Sequence, residues 1–168
     1  KEFRKLDTEK PLTIITSGDG DFYSKPLLST AFANEKTPEK LKVSSAEQMA
    51  EQLNATVLTH TNITAVDAEK RIVTNGSNEY EFSHLVLACS ATKVTPPLEG
   101  DAVDDIMSVN NIEDYSVFRD WLQGKRRVAI LGAGLVGCEF ANDLVNGGFE
   151  VDIIAPEQHP LAALVPNK

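Results

Sequence analysis

An alternating α/β architecture is expected of this chain, on three grounds. Residues 127–153 read RVAILGAGLVGCEFANDLVNGGFEVDI, which lays out a buried strand, a glycine-rich turn, an amphipathic helix, a Gly-Gly stop and a second apolar strand. Residues 84–89 (HLVLAC) form a short apolar run of the kind that fills a parallel strand buried on both faces. Residues 71–82 alternate around Asn75-Gly76, a strong hairpin signal.

The other elements follow in order. Lys1 to Lys5 resemble the last turns of a helix, and Leu12 to Thr16 is a short strand after Pro11. A loop, Ser17-Gly18-Asp19-Gly20-Asp21, comes next. Ser24 is placed to cap a helix with Pro26 in its first turn, running toward Ala33. Ala46 to Leu53 has helical periodicity, and Thr56 to His60 and Thr64 to Val66 are predicted strands. Pro96-Pro97 breaks regular structure. Asn110 or Asn111 caps the next helix, whose apolar face is Ile112, Tyr115, Phe118 and Leu122, and Gly124 ends it. The composition changes between Ser90 and Asp105, so the expected domains are 1–105 and 106–168.

Bulk properties exclude several classes. The 168 residues carry a net charge of −9, which argues against a nucleic-acid or anionic-membrane surface. No apolar run is long enough to span a bilayer. Cys89 and Cys138 are far apart, and no His/Cys spacing suits a metal. With no signal-peptide pattern at KEFRKLDTEK, a reducing cytoplasm is the expected compartment. The second βαβ unit stops soon after its second strand and the first region opens mid-helix, so an interior piece of a longer enzyme is expected.

Chemistry concentrates at the glycines. Gly132 permits the tight turn, Gly134 permits close approach of backbone to a diphosphate, and Gly137 lets the helix press on the strand. The amides of Leu135 and Val136 then face the anion at the helix N-terminus. This is a dinucleotide-binding fingerprint in its proper strand–turn–helix setting. The strand that follows ends at Ala155, where an acid gripping the adenine ribose is expected. Asp152 is mid-strand and Glu157 lies two residues beyond. Two residues break local rules. Lys25 puts a cation at a helix N-terminus, disfavoured by roughly 0.3–1 kcal/mol, unless its stem carries the ammonium into water. Glu139 shares the first turns of its helix with a phosphate that repels it, unless it serves the nicotinamide end.

FYSKPLLST (22–30), YEFSHLVLACSATKVTPP (80–97), NNIEDYSVFR (110–119) and KRRVAILGAGLVGCEFANDL (125–144) occur in one order and spacing. Together they resemble the pyridine-nucleotide–flavin reductases that feed small iron–sulfur or rubredoxin-type carriers. The resemblance implies a Rossmann-like flavoprotein with two dinucleotide-binding domains. Residues 1–105 are then part of the FAD domain, and 106–168 the first βαβ of the NAD domain. It implies that Lys25, with Ser24 beside it, lies by the flavin ring and that Glu139 pairs with Lys25. Ala88, Cys89 and Ser90 stand where the family has Ala-Thr-Gly against the flavin nucleotide, and Thr61 lies near its adenine-contacting strand. FAD and NAD(P)H are the implied cofactors. NADH is favoured because no arginine stands ready for a 2′-phosphate. Rubredoxin or a similar small iron protein is the implied partner. Two alternatives stand beside this: a non-catalytic dinucleotide-binding module, and a flavin-dependent peroxide or disulfide reductase. Residues 17–45 contain no cysteine, which argues against the disulfide branch.

Overall fold

The computed structural model describes residues 1–94 and 96–165. In chain order the elements are α1 (Glu2–Leu6), β1 (Thr13–Ile15), β2 (Phe22–Tyr23), a 3-10 turn (Lys25–Thr30), α2 (Pro38–Leu41), β3 (Lys42–Ser44), α3 (Ala46–Leu53), β4 (Thr56–Leu58), β5 (Ala65–Asp67), β6 (Ile72–Thr74), β7 (Glu79–Glu81), a second 3-10 turn (Val103–Asp105), α4 (Ile112–Trp121), β8 (Arg127–Leu131), α5 (Leu135–Asn146) and β9 (Glu150–Ile154). They gather into two compact units, each drawn from two stretches of chain. The first takes Lys1–Tyr23 with Lys42–Thr92, and the second takes Ser24–Leu41 with the residues from Lys93 onward.

In the first unit β1 and β4 pair in parallel, Thr13 with Thr56 through Ile15 with Leu58. β2 and β3 pair antiparallel, and β5-β6-β7 form a three-stranded meander whose last turn holds Asn75-Gly76. α3 starts on a full capping box, since Ser45 Oγ accepts from the Gln48 amide while Gln48 Oε1 accepts from the Ser45 amide. Its buried residues Ala46, Met49 and Leu53 recur at helical spacing. Its C-terminal carbonyls are collected by Arg4. The guanidinium donates from Nε to Leu53 O, from Nη2 to Asn54 O at 2.8 Å, and from Nη1 to Asp7 O at 3.0 Å and Lys10 O at 2.8 Å. A cation at a helix C-terminus complements the dipole, and the planar fork reaches several carbonyls at once. Arg4→Ala should therefore lower the unfolding free energy of this unit by roughly 1–3 kcal/mol, read by urea denaturation, and Arg4→Lys should restore little of it. Wild-type stability in the alanine variant would refute the clamp.

Residues 84–89 depart from expectation. They form no strand, and Val86 and Leu87 are 84% and 71% exposed. A strand exists only through hydrogen bonds to a neighbouring strand, and among the described residues none pairs with this run. Apolar composition records a tendency to be buried, but it cannot supply the partner.

In the second unit β8 and β9 pair in parallel, Arg127 with Glu150 through Leu131 with Ile154, and α5 packs on the pair between them. Ala141 and Leu144 are buried on that helix, and Val128 lies beneath. α4 is capped by Asn111, whose Oδ1 accepts from the Asp114 amide at 2.6 Å. The face predicted for α4 is the buried one: Ile112, Tyr115, Phe118 and Leu122. The helix expected after Ser24 is a short 3-10 turn, Lys25–Thr30, with Pro26 at its start, and Ser24 makes no side-chain cap bond. Its Leu28 and Ala31 join the core of this unit. No helix among the described residues is long and apolar enough to cross a membrane.

Candidate functional site

The glycine turn is built as its sequence requires. β8 runs into Gly132, which holds φ +112°, a conformation that side chains rarely adopt. Its amide donates to Ile154 O at 2.8 Å and so extends the parallel ladder one step beyond the strands. Gly137 sits where a Cβ would lie 2.2 Å from Gly132 O, so no side chain fits and the helix can press on the turn. Gly134 is the N-cap of α5, with no heavy atom of the described residues within 4 Å of where its Cβ would be. Leu135 and Val136, in the first turn, are exposed. Open space over Gly134 beside a helix N-terminus fits a diphosphate, which needs both close backbone approach and converging amides.

One row of α5 meets the segment that carries Lys25. Glu139, Asp143 and Gly147 recur every four residues and so share a face. Ser29 Oγ donates to Glu139 Oε2 at 2.6 Å. The same hydroxyl lies 3.1 Å from Pro26 O, but it has a single proton, and the shorter, charge-assisted contact takes it. Asp143 accepts from the amides of Phe32 and Ala33 at 2.8 and 3.0 Å. A Cβ at Gly147 would meet Phe32 Cδ1 at 2.7 Å, so the ring occupies that space.

For the two residues that the resemblance pairs, the described contacts run to Asn110 and Ser29. Lys25 Nζ donates to Asn110 Oδ1 at 2.9 Å, while Glu139 takes its hydrogen bond from Ser29. The reason is the helix type. Four residues along an α-helix return to within about 40° of the same face. In a 3-10 turn, at three residues per turn, four residues rotate the side chain by about 120°. Ser29 faces α5, and Lys25 leaves the turn about 120° from it. Asn110 is itself fixed, since its amide donates to Asp114 Oδ2 at 2.9 Å. The exposed ammonium and the half-buried carboxylate thus belong to one unit, with Ser29 and Asn110 as their immediate partners.

The remaining sequence-derived residues divide between the units. Ala155 follows β9 in the second unit and is half-buried. Asp152 is engaged by Arg127, Nε to Oδ2 at 2.6 Å, and the guanidinium holds that carboxyl below its ordinary range. An acid occupied across the strand pair in this way is not offered to a ribose. Thr61, Ala88, Cys89 and Ser90 belong to the first unit. The Thr61 amide donates to Thr16 O at 2.8 Å beside the end of β1, and Ala88 to Ser90 are exposed. Among the described residues no group of His, Cys, Asp and Glu could hold a metal. Ser29 and Asp143 were not singled out by sequence reasoning, and Asn110 only as a candidate helix cap. The row 139, 143, 147, with a glycine as its last member, was the available signal for a packed face.

A family description, "Pyridine nucleotide-disulphide oxidoreductase", matches residues 2–167. The rubredoxin-NAD(+) reductase of Alcanivorax borkumensis is 48% identical over 168 residues, covering 100% of this chain and 44% of that protein. The rubredoxin-NAD(+) reductase of Acinetobacter baylyi is 41% identical over 172 residues, covering 99% and 44%. The crystal structure of NADH:rubredoxin oxidoreductase from Clostridium acetobutylicum superposes with a TM-score of 0.75 at 24% identity, covering 89% of this chain and 39% of that one, a likeness of fold. The chain spans less than half the length of these relatives.

Proposed function

Because the chain belongs to the pyridine nucleotide-disulphide oxidoreductase family, we propose that it is the part of an NADH-dependent flavoprotein reductase that brings nicotinamide and flavin together, with electrons passing on to rubredoxin or a similar small iron protein. The observation that carries this reading is the double duty of α5. Its N-terminus forms the glycine cradle, and its next turn presents Glu139 to the turn that bears Lys25. Identity of 48% and 41% to two rubredoxin-NAD(+) reductases supports the class of acceptor. The two stretches 1–105 and 106–168 are read as partial FAD and NAD domains.

FAD, when bound, supplies the ability to take a hydride and release electrons singly. The chain's own work is binding and orientation. Gly132, Gly134 and Gly137, with the Leu135 and Val136 amides, hold a diphosphate and so fix where the nicotinamide end reaches. Lys25, flanked by Ser24, holds a positive charge where negative charge accumulates during reduction. Glu139 orients groups at the same end of the helix. Ala88, Cys89 and Ser90, with Thr61, line the flavin nucleotide, and Ala155 lies by the adenine ribose. Both cysteines are unbridged, which supports a cytoplasmic setting.

Anaerobic addition of NADH to the FAD-loaded reductase that contains this chain should bleach the flavin absorbance band, and oxidised rubredoxin should restore it. A band untouched by NADH would leave a non-catalytic dinucleotide module. Recovery with peroxide but not with rubredoxin would move the protein to the peroxide-reducing branch.

A further inference from the structure

Asp143 is a carboxylate for which the proposed reaction has no use, yet it is only 4% exposed, on the helix that cradles the dinucleotide. Both its oxygens are committed, Oδ2 to the Phe32 amide at 2.8 Å and Oδ1 to the Ala33 amide at 3.0 Å. Burying a carboxylate forfeits its hydration, and an apolar residue would pack here without that loss. What a carboxylate does and a leucine cannot is hold two successive N–H groups in one place and one orientation. Those N–H groups follow directly on the 3-10 turn that begins at Lys25.

The same stretch is gripped from its other sides. The Phe32 ring makes an edge-to-face contact with Phe149 at 5.3 Å, and the Arg119 guanidinium stands 5.1 Å from its centroid. Tyr115 Oη and Arg119 Nη1 both donate to Lys36 O, at 3.0 and 3.1 Å. Burial pushes the Tyr115 phenol above its ordinary range, which keeps the donating proton in place. Asp143 is the middle of the row Glu139, Asp143, Gly147, one turn from each neighbour. A slip of the turn along α5 would break both amide contacts and withdraw Ser29 from Glu139.

We propose that Asp143 is a positioning residue: by clamping the Phe32 and Ala33 amides, it sets the register of the lysine-bearing turn on the nucleotide helix, and so the placement of Lys25 and the Ser29–Glu139 contact. Its relevance to catalysis rests on reading Lys25 as a flavin-facing group, but its structural test does not.

Asp143→Asn keeps the shape and turns an NH2 toward one of the two amides. In this variant the Phe32 and Ala33 amides should exchange with solvent at least about tenfold faster, while the centre of α5 stays protected. Acetylation of the Lys25 amine by a limiting reagent should change several-fold. Hydride transfer from NADH should slow, while the dissociation constant for NAD+ stays within about twofold. Unchanged exchange at Phe32 and Ala33 with unchanged Lys25 acetylation would overturn the proposal, as would a rate that falls only in step with lost NAD+ affinity. If Asp143→Asn does not fold, Gly147→Ala presses on Phe32 from the next turn of α5 and is read by the same acetylation. A change there supports register control, and no change overturns it. Altered Lys25 reactivity with an unaltered hydride-transfer rate would keep the clamp and discard the flavin-facing role of Lys25.

Discussion

Gly137→Ala should abolish dinucleotide binding and destabilise the second unit together. The added Cβ would lie 2.2 Å from Gly132 O and 3.2 Å from Gly132 C. Both are backbone atoms, so no flexible side chain can swing away. The helix must lift off the turn or the turn must open, at about 1–3 kcal/mol or more. Either movement takes the first-turn amides away from the diphosphate. Gly134→Ala is the matched contrast. Its φ of −74° suits alanine, and the Cβ meets no heavy atom of the described residues within 4 Å. That variant should melt as the wild type does while binding NADH at least about tenfold more weakly, because the methyl stands where the diphosphate must approach. Thermal unfolding and fluorescence titration with NADH separate the two outcomes. Wild-type affinity in Gly134→Ala would remove the diphosphate from this turn.

Lys25→Ala should slow flavin reduction by NADH roughly 100-fold, the magnitude typical of removing one group that stabilises developing charge. The ammonium is exposed and tethered to Asn110, and it takes no part in the core, so melting should scarcely move. Lys25→Arg retains the charge but spreads it over a larger planar group, and it should recover part of the rate. Stopped-flow mixing of FAD-loaded variants of the reductase that contains this chain with NADH, without oxygen, is the direct measurement. A hydride-transfer rate equal to wild type in Lys25→Ala would eliminate the assigned role.

How far the sequence disclosed this fold depended on whether the forces acting at a residue were local. The glycine turn was legible because Gly132 and Gly137 each answer a steric demand set within six residues of chain. The buried face of α4 was legible because Asn111 caps it and its apolar spacing fixes one side. At Lys25 a helix was legible but its type was not, because a Ser-x-Pro start suits either. Tertiary contacts decide between them, with Ser29 held by Glu139 from 110 residues away. Residues 84–89 were misread because pairing is a property of two strands. Asp143 stood unnoticed between Asn142 and Leu144 because an acid inside a helix ordinarily faces water.

The discontinuous make-up of the second unit governs how the chain can fold as it is synthesised. Residues 24–41 leave the ribosome early, yet their docking surface on α5 exists only after about a hundred further residues have been translated. At about 5–20 residues per second, Leu28, Ala31 and Leu41 wait roughly 5–20 seconds without their cover. Closing so long a loop adds only a modest entropic cost, because that cost grows with the logarithm of length. The delay therefore weighs on speed and on exposure to aggregation more than on final stability. It falls on the segment that carries Lys25, so completion of the second unit and arrival of that lysine at its station are the same late event.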